Sequence, residues 1–323
     1  MTYHYVEETK HRSALRLALG KTYYSLKRYA QWHKFTPFAS EFLAEPMEYE
    51  YFSHRTPLLR QLRDVDMELQ FNKVHNLNIA VPRLSGLVLH PGETLSYWKA
   101  IGRTSARRGY KPGMVLTGGK VSAEVGGGLC QLSNLIYWMT LHTPLTVIER
   151  HHHGYDVFPD SNRTQPFGSG ATCYYPHVDL MIRNDTLQDF QLFLHVGTEY
   201  LEGAWLTDQL PRYRYQVVER GHEIRAEYWG GYSRHNELWR KIYAADGSQR
   251  ADDGSRRAEG RSQQPENGSQ RANDGSRRAN DGSRRANDVE SCRTMSNDTL
   301  LGEEYITENH VLMMYQPFLE TWK

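Results

Sequence analysis

Cysteine is scarce. The 323 residues hold three, Cys130, Cys173 and Cys292, too few and of the wrong parity for a disulfide framework. Reduced thiols in a cytoplasmic setting are the simplest expectation. Long apolar runs are missing as well. No stretch approaches the ~20 residues that a membrane helix needs, so no transmembrane segment is expected. Met1 to Lys10 is polar and lacks the apolar core of a secretory signal peptide. Charge of one sign is also lacking, with Lys+Arg 39 against Asp+Glu 38 and a net charge of +1. That balance exerts no global pull on nucleic acid, and no nucleic-acid partner is expected. Bulky core material is plentiful, with Tyr 21, Phe 10 and Trp 7, which excludes wholesale disorder.

Residues 247–288 stand apart. They cycle through GSQRADD, GSRRAEG, GSQRAND and GSRRAND with a period of seven. No position of that period carries a large apolar side chain, so a coiled coil is excluded. The composition cannot offset chain entropy, and a disordered repeat insertion in a surface loop is expected. Its Arg pairs alternate with acids that cancel their field.

Residues 1–80 read as an N-terminal helical region. From His11 to Trp32, Leu15, Leu17, Leu19, Tyr23, Leu26 and Tyr29 interleave with Arg12, Arg16, Lys21, Lys27 and Arg28, the pattern of a basic amphipathic helix. Two roles suit it: packing on the domain with a solvated basic face, or peripheral docking at a membrane surface. Phe38 to Tyr51 reads as a connector. Residues 81–246 and 289–323 read as a strand-rich domain. Short apolar runs at 87–89, 114–116, 145–148 and 180–182 are bounded by turn residues. Further strands are expected at 190–196, 200–205, 213–218 and 239–243, and a helix at 132–141. The fold class is therefore α+β, an N-terminal helical segment followed by a mixed domain whose glycine turn and helix carry Cys130.

The densest chemical signal is Gly126-Gly127-Gly128-Leu129-Cys130-Gln131-Leu132-Ser133-Asn134. Three glycines cost chain entropy unless backbone conformation or a close approach demands them. Leu129, Leu132, Leu135, Ile136 and Met139 then repeat at helical spacing. Cys130 falls in the first turn, where unpaired N–H groups and the macrodipole would acidify a thiol. Asn134 shares its face. A small buried cysteine is the plain alternative.

Glu149-Arg150-His151-His152-His153 follows a β-type run. If that strand continues, His151 and His153 share a face. They suit either a base beside the Cys130 thiol or, with Cys130, a metal set for which zinc is the natural ion. No other cofactor is expected. Asp179 could orient a histidine, or it could cap or pair structurally.

These blocks resemble the VanW family. GGGLCQLSN, PLTVIERHHHGYDVFPD and DLMIRNDT carry the resemblance, together with residues 90–98 and 109–120. It implies a setting of glycopeptide resistance and cell-wall peptidoglycan precursors, and it implies no particular reaction. The family's matching polar positions are Cys130, Gln131, Glu149, Arg150, His151, His153 and Asp179. Two roles follow as expectations. In a thiol hydrolase or acyl transferase, Cys130 is the nucleophile, His153 or His151 the base, Gln131 an oxyanion donor and Asp179 the orienting acid. Glu149, Arg150 and Asn134 would then bind a cell-wall precursor or peptide ligand. In a non-catalytic binding or scaffolding protein, Cys130, His151 and His153 are structural or hold zinc. At Gly170 the family's frequent acid is missing.

Overall fold

Alternating apolar runs and glycine turns become, in a computed structural model, a layered assembly of short strands around a few helices. The structure describes residues 13–34, 37–59, 66–117, 120–156, 165–245 and 299–315. The repeat at 247–288 and Cys292 lie outside these residues, as does the polar stretch from Met1 to Lys10.

The helices are α1 (Ala14–Lys34), α2 (Met67–Ala80), α3 (Tyr97–Ile101) and α4 (Cys130–Thr140). The strands run β1 (Tyr49–Pro57), β2 (Leu87–Leu89), β3 (Thr94–Ser96), β4 (Pro112–Thr117), β5 (Lys120–Val125), β6 (Thr146–Glu149), β7 (Tyr155–Asp156), β8 (Met181–Arg183), β9 (Phe190–Val196), β10 (Tyr200–Thr207), β11 (Tyr213–Ala226), β12 (Tyr232–Ala244) and β13 (Leu300–Met313). The α+β expectation holds.

Four sheets result. Their orders are β1-β10-β9-β2, β11-β12-β13-β7, β3-β8-β6 and the hairpin β4-β5. The first is antiparallel throughout, and α4 packs across β10 and β1. Its apolar stripe, Leu132, Leu135, Ile136 and Met139, is wholly buried there with Trp205 and Phe190 from the sheet. Trp205 Nε1 donates to Thr140 Oγ1 at 3.0 Å, which satisfies the indole inside the core.

Two readings change. Residues 49–57, inside the stretch read as helical, form β1, which pairs with β10 from Tyr49↔Thr207 to Pro57↔Tyr200. Its run YEYFSHRTP alternates buried and exposed side chains only weakly. The long-range partner decides the conformation, as strand formation often requires. The strand before the histidines ends at Glu149, so residues 150–153 follow no two-residue alternation. By contrast β12 and β13 pair antiparallel, with Tyr243 opposite Leu300. The repeat-containing segment therefore joins two neighbouring strands, as expected for an enlarged hairpin connection.

Candidate functional site

The glycine turn explains where Cys130 sits. Gly126 and Gly128 have φ of 83° and 89°, the left-handed region that favours glycine. Gly127 is needed for space. A Cβ there would lie 2.1 Å from the Gly113 carbonyl oxygen at the start of β4. The fully buried Asn76 of α2 secures this approach, donating to the Gly127 and Lys111 carbonyls at 3.0 Å and accepting from Lys111 N at 2.8 Å. Tyr97 adds a 2.9 Å hydrogen bond to the Leu129 carbonyl. The turn thus starts α4 at Cys130, as the sequence predicts.

The thiol itself departs from expectation. Cys130 Sγ donates to the Cys173 carbonyl at 3.8 Å. Burial pushes its pKa up, and that hydrogen bond only partly opposes the rise. Desolvation outweighs the field of the helix start, because a thiolate there would leave water without gaining a cation. Cys173, buried alongside, is pushed up further by burial and by its neighbour Cys130.

The neighbouring polar residues of the motif are engaged, except that the buried Gln131 Oε1 has no hydrogen-bond donor among the described residues. Gln131 Nε2 donates to Thr56 Oγ1 at 2.9 Å and to the Pro57 carbonyl at 2.8 Å, tying α4 to the end of β1. Asn134 Oδ1 accepts from Ala171 N at 2.7 Å, and Ser133 Oγ donates to the Ala171 carbonyl at 2.7 Å. A Cβ at Gly170 would stand 2.9 Å from Asn134 Oδ1, so this contact fits the missing acid. Gln131 holds backbone and threonine rather than facing an oxyanion position. Asn134 is likewise occupied.

Arg150 clamps the same segment from the other side. Its Nε donates to the Gly170 carbonyl at 2.9 Å and Nη2 to the Gly168 carbonyl. Both Nη atoms reach Asn309 Oδ1 of β13 at 3.3 Å, and the guanidinium stacks 5.0 Å from the Tyr137 ring centre. Asn309 and Asn236 carry the bonding on to the Phe167 carbonyl. Residues 167–173 are therefore held between α4 and the long sheet, and the Cys173 carbonyl at their end meets the Cys130 thiol. Thr172 N donates to the His151 carbonyl at 2.7 Å.

His151 Nε2 meets Glu149 Oε1 at 3.0 Å, and its side chain is exposed. His153 is half-buried. Burial first, then Arg150 and His152, lower its pKa to about 4, so it is neutral near pH 7. Glu149 also accepts from Arg28 of α1 at 2.5 Å. Burial works to raise this carboxyl, but the bonds from His151 and Arg28 outweigh it and hold it below its usual range. Asp179 has another post. Fully buried, it accepts from Ser96 Oγ at 2.6 Å, Trp98 N at 2.9 Å and Leu180 N at 2.9 Å. It caps α3 and orients no histidine. Its pKa rises to about 6 through burial, against the pull of those hydrogen bonds.

The zinc set does not assemble. Among the described residues no group of three His, Cys, Asp or Glu side chains stands close enough to share an ion. Sequence reasoning missed Arg28, which it placed on a solvated face. Arg28 is buried, bonding Glu149 and the His177 carbonyl at 3.0 Å. Asn309 was missed too. Only its distance from the motif hid it, since the signal for it is a paired asparagine, Asn236, in a strand that looks ordinary.

Comparison with known proteins bears on the middle of the chain. Residues 72–206 match the family model described as VanW like protein. The chain is 39% identical over 153 residues to the Vancomycin B-type resistance protein VanW of Enterococcus faecalis, which covers 47% of this chain and 56% of that protein. The middle of the chain is therefore similar to the VanW family. It is also 28% identical over 82 residues to the Uncharacterized protein YoaR of Bacillus subtilis, 25% of this chain and 27% of YoaR. It thus spans about half the length of the first of these curated relatives and less of the second. No solved structure matches it. All the candidate residues from Cys130 to Asp179 lie inside the VanW-like region. The groups that close around them, Arg28 and Asn309, lie outside it.

Proposed function

We propose that this VanW-like chain is an accessory protein of glycopeptide resistance. It works beside cell-wall precursors as a binding or scaffolding component rather than as a thiol hydrolase or acyl transferase. The setting is suggested by the name of the Enterococcus relative, with which the chain shares about half of that protein's length. The observation that carries the non-catalytic reading is the Cys130 sulfur. Its hydrogen bond goes to a backbone carbonyl, and desolvation raises the pKa of this half-buried thiol instead of acidifying it. A thiol nucleophile needs the thiolate, a base within hydrogen-bond reach and a group orienting that base. Of the two candidate bases, His151 is bonded to Glu149 and His153 makes no hydrogen bond to the thiol, and the candidate orienting acid caps a helix. The motif's polar residues instead fix the 167–173 segment, which favours a rigid frame for recognition.

The test uses the folded full chain and a soluble cell-wall stem-peptide precursor. Equilibrium dialysis should show binding that survives Cys130→Ala, and mass spectrometry should recover the peptide with unchanged mass. Iodoacetamide should label Cys130 only as the protein unfolds. A peptide cleaved or acylated by the wild-type chain and untouched by Cys130→Ala would overturn the reading. So would failure of the precursor to bind.

A further inference from the structure

The helix α1 is amphipathic in the reverse of the usual sense. Its inward side is polar and aromatic. Arg28 bonds Glu149, Trp32 Nε1 donates to Ser96 Oγ at 3.0 Å, Lys21 Nζ donates to the Tyr174 hydroxyl at 2.9 Å, and Tyr24 stacks on His177. These contacts fix the helix on the domain. Its leucines point away. Leu15, Leu19, Tyr23 and Leu26 are 70%, 63%, 62% and 64% exposed. Their spacing of four, four and three residues makes one continuous row along the helix. An apolar row of this kind, held outward by a polar anchor, is uncommon on a soluble surface and marks an interaction face.

Charge says what covers it. Residues 14–34 contain Arg16, Lys21, Lys27, Arg28 and Lys34 and no acidic residue, although the whole chain is nearly neutral. Arg16 and Lys27 border one edge of the leucine row on the helical wheel, and both are exposed. A row of leucines and tyrosine bordered by cations, with no anion on the helix, complements the phosphates and acyl boundary of an anionic bilayer. No helix among the described residues is long and apolar enough to cross a membrane, and α1 would lie in the interface plane.

We propose that α1 is a docking helix for an anionic phospholipid surface. The Leu15–Leu26 row enters the headgroup boundary, and Arg16 and Lys27 meet lipid phosphates. The domain stays attached through Arg28 and Trp32, so docking requires no unfolding of the helix from its seat.

Co-sedimentation of the full chain with vesicles tests this. Phosphatidylcholine vesicles containing phosphatidylglycerol should carry the protein down, and pure phosphatidylcholine vesicles should not. High salt should weaken the binding. The double substitution Leu19→Asp, Leu26→Asp should lower partitioning by about tenfold or more, and Arg16→Glu, Lys27→Glu should do likewise. Circular dichroism confirms that each variant stays folded. Equal partitioning of the leucine variant and the wild type would overturn the proposal, as would a wild-type chain left in the supernatant. Self-association in vesicle-free solution that the leucine variant abolishes would overturn it too, by making the row an interface between copies. None of these outcomes depends on whether a cell-wall peptide binds.

Discussion

A buried carboxyl shows how a single residue trades catalysis for architecture. Asp179 accepts three hydrogen bonds, two from backbone N–H groups and one from a hydroxyl. Such acceptance normally stabilises a carboxylate, yet full burial raises the pKa to about 6. The sign follows directly. The folded state binds the proton more tightly than the unfolded chain, whose carboxyl titrates near its ordinary value of 3.8. Asp179 therefore contributes most below about pH 4, and its contribution falls as the pH rises to about 6. The shift amounts to on the order of 3 kcal/mol. Asp179→Asn keeps an oxygen for the Trp98 and Leu180 amides and cannot ionise. Relative to that variant, the wild type should lose stability of this order between about pH 4 and 6. Urea unfolding of both proteins at the two ends of the window measures it, and parallel pH profiles would refute the assignment.

At the scale of elements, the turn before α4 separates two uses of glycine. Gly92 has a φ of 82° with open space where a Cβ would go. Gly127 has no left-handed φ to defend, but its Cβ would strike the Gly113 backbone at 2.1 Å. Gly92→Ala should therefore cost about 1–2 kcal/mol, the cost of left-handed backbone alone. Gly127→Ala should cost about 3 kcal/mol or more, because backbone meets backbone and neither side has a rotamer to change. Chemical denaturation ranks the two, and equal costs would mean that β4 gives way. The same contrast governs α1. Its basic residues look equivalent along the sequence, but Arg28 bonds the half-buried carboxylate of Glu149 and so turns inward while Leu15, Leu19 and Leu26 turn out.

Across the whole molecule, local signals were legible and distant ones were not. The strand at Phe190–Val196 and the helix opening at Cys130 follow from side-chain periodicity and turn residues, which act over a few positions. The pairing of β1 with β10 spans more than a hundred residues, and so does the 121-residue separation of Arg28 from Glu149. No periodicity reports such contacts. Nor could the sequence say that β6 stops at Glu149, which decides where the histidine rings point. Burial is equally a property of the assembled whole, and two histidines register it. His142, its Nδ1 2.9 Å from the Trp138 carbonyl oxygen and its ring stacked on Phe52 at 4.0 Å, is lowered to about 4, chiefly by burial. His153 is lowered to about 4 for the same first reason. Both folded values lie below the ordinary imidazole value of 6.5. Their contribution is complete above about pH 6.5 and is lost as the pH falls toward 4. Each carries on the order of 3 kcal/mol, so two histidines outweigh the opposing Asp179. The wild-type chain should lose stability as it is acidified through this window. His142→Phe keeps the stacking on Phe52 without a titrating group, and it should remove roughly half of the histidine-linked loss. Urea midpoints measured from about pH 7 down to 4 provide the comparison, and an unchanged slope in the variant would place the acid sensitivity elsewhere.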